Sequence, residues 1–132
     1  MATIKATIKS YTDLSQSKAL ALILPLGSAD MVHIATANDD IGDTLYTAEY
    51  KSEIIINEGD TDYINCWSLA ALLKYLSEIQ PQVYTPILFP SEGKWVLQFT
   101  EYGHGTVCEV SCDNPVDACV DMILKLKRGN LL

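Results

Sequence analysis

Residues 83–129 read VYTPILFPSEGKWVLQFTEYGHGTVCEVSCDNPVDACVDMILKLKRG, and this stretch decides the fold class. Three runs with strand character, Val83–Phe89, Lys94–Glu101 and Thr106–Ser111, are joined by Ser91-Glu92-Gly93 and Gly103-His104-Gly105. Joints this short connect antiparallel strands as hairpins. A helix signal follows. Asn114 suits the cap, Pro115 the first helical position and Asp117 the positive end of the helix dipole. Val116, Cys119, Val120 and Ile123 line one side, Lys125, Lys127 and Arg128 favour the negative end, and Gly129 closes the helix.

Upstream, Leu69, Leu72, Leu73 and Leu76 fall at i, i+3, i+4 and i+7 of a second helix, between Trp67 and Ile79. Asn65, with Ser68 three residues on, is its expected cap, and Gln80-Pro81 its expected end. Before it, Met31–Ala35, Thr44–Tyr50 and Glu53–Ile56 read as strands of an antiparallel meander punctuated by Asn38-Asp39-Asp40, Gly42 and Glu58-Gly59-Asp60. A first helix is expected from a cap at Thr12 or Asp13, with Leu14, Leu20, Ala21, Ile23 and Leu24 as its apolar stripe and Pro25 as its stop. The alternation of Ile4, Ala6 and Ile8 with Thr3, Lys5, Thr7 and Lys9 predicts a strand at the N-terminus. Runs of strands separated by helices, without strand–helix alternation, predict an α+β fold: antiparallel strands in one bent sheet or two small ones, with three helices packed against them. At 132 residues and 48% hydrophobic, the chain suits one domain spanning residues 1–132.

Charge is unevenly placed. Of the net −8, a charge of −7 falls between Asp39 and Asp62, where eight acids meet Lys51 alone. A nucleic-acid binder needs a basic footprint, and the chain has none, so direct contact with DNA or RNA is not expected. Asp39, Asp40, Asp43, Glu58, Asp60 and Asp62 form the candidate binding set, facing a basic protein; the plainer alternative is a solvated acidic face. No apolar run approaches the ~20 residues of a membrane span, and the first residues show no signal-peptide pattern, so a cytoplasmic setting with reduced thiols is expected.

Three stretches carry a resemblance: Gln16-Ser17-Lys18 with Leu24-Pro25 and Ser28-Ala29-Asp30-Met31; Cys66-Trp67-Ser68-Leu69-Ala70-Ala71-Leu72-Leu73; and Asp113-Asn114-Pro115-Val116-Asp117-Ala118-Cys119-Val120-Asp121-Met122-Ile123, running on to Leu131-Leu132. In order and spacing they resemble a family of small uncharacterised proteins carried by phages and integrative elements of gut anaerobic bacteria. That family commonly has a proline where Asn65 stands. The resemblance implies a bacterial or phage cytoplasmic setting and no particular activity.

Catalytic and metal-binding patterns are weak. His104, Cys108, Cys112 and Cys119 lack the paired spacing of zinc sites, and Cys108 and Cys112, on one strand face, would lie ~13 Å apart. The Asp39–Asp43 loop puts Ile41 where a calcium-binding EF-hand needs an oxygen, and no glycine-rich phosphate cradle is present. No metal or cofactor is therefore expected. The favoured function is a non-catalytic accessory protein of a mobile element, binding another protein through its acidic surface. The rivals are a small thiol-dependent enzyme pairing Cys108 or Cys112 with His104, and a structural homo-oligomer.

Overall fold

The computed structural model describes residues 9–38, 43–54 and 63–132, with the side chains of residues 36–38 and 43–45 left aside. The N-terminal strand expected over Thr3–Lys9 lies almost wholly outside this range. The described residues form three helices and two three-stranded antiparallel sheets, an α+β fold.

Helix α1 spans Leu14–Ala21. Asp13 Oδ1 accepts the Gln16 amide at 2.8 Å, and Gln16 Oε1 accepts the Asp13 amide at 3.1 Å, so each residue satisfies an orphan donor of the other. The helix ends four residues before Pro25, and the chain continues in single turns whose Ile23 and Leu24 amides still donate to the Leu20 carbonyl. Leu20 and Leu24 are buried.

The first sheet contains β1 (Met31–Asn38), β2 (Asp43–Tyr50) and β3 (Tyr63–Cys66), in the order β2-β1-β3. It is not the expected meander, because β3 pairs with β1 rather than with β2. Of the strand expected over Glu53–Ile56, Glu53 and Ile54 are not in a strand and residues 55–56 lie outside the described residues. Lys51–Glu53 form a 3-10 turn, pinned where the Lys51 amide donates to the Asp30 carbonyl at 3.0 Å, and the third strand is β3. That places Asn65 in a strand opposite Val32, so it cannot cap the next helix. Ser68 does so instead, its Oγ accepting the Ala71 amide at 3.1 Å.

Helix α2 spans Leu69–Ser77, stopping before Gln80-Pro81, and buries Leu72 and Leu76 completely, with Leu69 and Leu73 half-buried beside them. The second sheet, β4 (Tyr84–Ser91), β5 (Lys94–Glu101) and β6 (Gly105–Cys112), is a meander in chain order. Its first joint has only two residues, Glu92 and Gly93, both at positive φ, the geometry that matches strand twist in a tight hairpin. Pro86 and Pro90 remove two amide donors from the outer strand β4, which blunts that edge against further pairing. Helix α3 (Pro115–Arg128) opens on Asn114, whose Oδ1 accepts the Asp117 amide at 2.9 Å.

The core lies between α1, α2, α3 and the inner face of the second sheet, where Trp67, Leu97, Phe99, Met122 and Ile123 are fully buried. Replacing Leu72 by alanine should cost about 2–5 kcal/mol in urea denaturation, through lost burial and the cavity left behind. Replacing Lys74, exposed on the same helix, should change stability by less than about 0.5 kcal/mol. Equal effects at the two positions would show that α2 faces the wrong way.

Candidate binding surface

Strand β2 occupies an outer position in the first sheet, and no described strand pairs with its far edge. Its residues alternate between two faces. Tyr46 and Tyr50, 40% and 45% exposed, share the face on which Met31 and His33 of β1 are buried, while Glu49 stands on the other face, opposite Val32. Tyrosine is a common strand residue, and two exposed on one face offer the aromatic contact area that protein interfaces use.

Each tyrosine opens into a hollow. A shallow one of about 460 Å³ lies between Tyr46, Ala48, His33, Tyr11 and the start of α1. The His33 ring meets the Tyr11 ring edge-on at 5.7 Å, and its Nε2 lies 2.7 Å from the Thr12 carbonyl. A carbonyl only accepts, so Nε2 is the donor in this bond. The larger cleft, about 530 Å³, runs from Tyr50, Lys51 and Ser52 to the exposed side of α2 at Ala70, Ala71, Lys74, Tyr75 and Glu78, with Gly27–Asp30 as its third wall. Asp30 is fixed there by Ser68, whose amide donates to Oδ1 at 2.9 Å and whose hydroxyl donates to Oδ2. Burial holds Lys51 below the ordinary lysine pKa, despite the attraction of Asp30.

Of the residues expected to bind, Asp43 is the first of β2, its backbone opposite Asn38, and Asp39, Asp40, Glu58, Asp60 and Asp62 lie outside the described residues. Glu49 and Glu53 are described, Glu49 half-buried and Glu53 exposed. The cleft itself was not expected. Its one sequence signal is the isolation of Lys51 among eight acids. The Asp30 carboxylate makes its hydrogen bonds 38 positions away, at Ser68.

The thiols and histidines are dispersed. Among the described residues, no group of three or more His, Cys, Asp or Glu is placed to hold a metal ion. All four cysteines are free. Cys108 and Cys112 stand on the inner face of β6, opposite Phe99 and Trp95, while His104 is exposed in the turn before that strand. The Cys112 thiol donates to Asp121 Oδ2 at 3.4 Å, and burial together with nearby carboxylates pushes its pKa up to about 11. Burial pushes Cys66 and Cys119 up to about 12. None of these three is an activated thiolate.

No helix among the described residues is long and apolar enough to cross a membrane. Comparison with protein-family models, curated proteins and solved structures finds no match. The resemblance of the helical stretches therefore rests on their quoted residues alone.

Raised pKa values keep these thiols protonated at neutral pH. At pH 7.5, iodoacetamide should leave Cys66, Cys112 and Cys119 unmodified in the folded protein over a period that alkylates all four cysteines in urea, as mapped by peptide mass spectrometry. Rapid alkylation of Cys112 in the folded protein would reverse this assignment.

Proposed function

We propose that the protein is a non-catalytic accessory protein that acts by binding another, basic protein through β2 and the acidic chain around it. The observation that carries this is the composition of β2. An outer strand presents Tyr46 and Tyr50 to solvent on one face and belongs to a segment holding −7 of the chain's net charge of −8. Aromatic side chains supply contact area at low entropic cost, and the acids speed encounter with a partner of opposite charge. The chemistry-bearing groups elsewhere support a binding role, since His33 is tied to a backbone carbonyl and the thiols of Cys66, Cys112 and Cys119 are held protonated.

The test uses immobilised protein to capture partners, followed by kinetics on the captured species. Tyr46→Ala should weaken binding at least tenfold, mainly through faster dissociation, without loss of fold by circular dichroism. The triple change of Asp39, Asp40 and Asp43 to Asn should slow association several-fold at low salt, an effect that shrinks as the Debye length falls to ~8 Å at physiological ionic strength. A partner whose association ignores both the variants and the salt would refute the proposal.

A further inference from the structure

The second sheet gives one face to the core and the other to solvent. Leu88, Leu97, Phe99 and Val110 point inward against the helices, so strand alternation turns Ile87, Phe89, Val96, Gln98 and Glu109 outward. Phe89 stands directly opposite Val96, and Ile87, 43% exposed, lies two residues along the same strand. Exposed apolar side chains scattered singly are ordinary, but these three adjoin and form one patch. Both edges of the sheet are guarded against strand addition. Pro86 and Pro90 lack amide donors on β4. On β6 a register shift beside Phe99 interrupts the ladder, and Lys125 Nζ donates to the Glu109 carbonyl at 3.2 Å. The outer face is what this sheet leaves for association. Its register sets out four rows: Ser91–Lys94, Phe89–Val96–Ser111, Ile87–Gln98–Glu109 and Thr85–Thr100–Thr106.

We propose that this face packs on the same face of a second copy, about a two-fold axis crossing the strands between the two middle rows. The arrangement is an aligned sheet-on-sheet packing. It lays Phe89 of each copy over Ile87 of the other, and the Lys94 row over the Thr100 row. Lys94 of one copy then lies one row from Glu109 of the other, within reach of its flexible stem. Within one copy these two are not partners: Lys94 Nζ donates to Asp113, and Glu109 accepts from Gln98 Nε2 at 2.7 Å. A single rotation thus joins apolar to apolar and cation to anion, and this self-complementarity selects a second copy as the occupant. Two chains of net charge −8 repel each other, and the two Lys94–Glu109 contacts offset part of that repulsion. Three strands of eight residues span about 26 by 14 Å, below the ~800 Å² per partner of a standard interface, so the dimer is weak. The face shares no residue with β2, and this proposal and the binding of a basic protein can fail separately.

The test is sedimentation equilibrium of the whole protein at low salt, with circular dichroism to check the fold of each variant. The parent should form a reversible dimer with a dissociation constant below about 1 mM. Ile87→Lys places like charges at the centre of the contact and should weaken the dimer about tenfold or more. Lys94→Glu and Glu109→Lys should each weaken it several-fold. The two changes together should restore it to within about twofold of the parent, a rescue that the Asp113 and Gln98 contacts within one copy cannot produce. A chain that stays monomeric up to about 1 mM, a dimer indifferent to Ile87→Lys, or charge reversals that fail to compensate would each overturn the proposal. Should Ile87→Lys fail to fold, Val96→Thr, which keeps the branched shape, takes its place. It should weaken the dimer about threefold, and an unchanged dimer would overturn the proposal equally.

Discussion

The structure depends on a buried hydrogen-bonded junction where Ser10–Thr12 runs antiparallel to Trp67–Leu69. The Thr12 amide donates to the Trp67 carbonyl at 3.0 Å, the Trp67 amide donates to Thr12 Oγ1 at 3.1 Å, and the Leu69 amide donates to the Ser10 carbonyl at 3.0 Å. Thr12 has no exposure, so its hydroxyl would be costly without partners, and Ser17 Oγ of α1 at 2.8 Å supplies another. His33 of β1 donates to the Thr12 carbonyl, and the Trp67 indole donates to Ser28 Oγ at 2.9 Å. One short crossing thus ties α1, β1, the turn at Ser28 and the entry of α2 together. No buried side-chain polar atom of these described residues is left without a partner, which favours one arrangement of the network over several.

The candidate surfaces inherit their geometry from that crossing. Ser68, next to Trp67, both caps α2 and holds Asp30, so the exposed side of α2 is set against the Tyr50–Ser52 corner and the cleft lies between them. A second polar cluster adjoins the junction, through the residues next to Ser10 and Ser17. Asp117 of α3 accepts from Lys9 at 2.8 Å, from Gln16 of α1 at 2.8 Å and from Asn114 at 2.8 Å. Burial opposes ionisation of Asp117, yet these donors outweigh it and hold the carboxyl below the ordinary aspartate pKa. Asp117 thereby ties α3 to α1 and to Lys9, next to the crossing. The protein's solvent-facing chemistry is left to β2 and the cleft beside it.

The second sheet and α3 were legible in the sequence, because short glycine-bearing joints, proline at the first helical turn and a cap residue are local signals with local causes. The stripe of α2 was equally readable from Leu72 and Leu76. The first sheet was not. Which strand pairs with β1 is a long-range choice that no periodicity encodes; Asn65 therefore passed for a cap while serving in a strand. The cleft was hidden for the same reason. Asp30 and Ser68 are 38 positions apart, and their contact follows from the fold rather than from any motif. Only the isolation of Lys51 within the acidic stretch pointed toward it.

The central claim, that the Thr12 junction organises the molecule, is tested most directly by comparing the unfolding free energies of Thr12→Val and Thr12→Ser in urea. Valine keeps the shape and removes the hydroxyl, leaving the Trp67 amide and the Ser17 hydroxyl without that partner, whereas serine keeps the hydroxyl and removes one methyl. The valine variant should lose about 2–4 kcal/mol, and the serine variant about 1 kcal/mol. A valine variant as stable as the parent, or a serine variant that loses as much as valine, would show that the junction is held by packing alone and that its hydrogen bonds do not organise the fold.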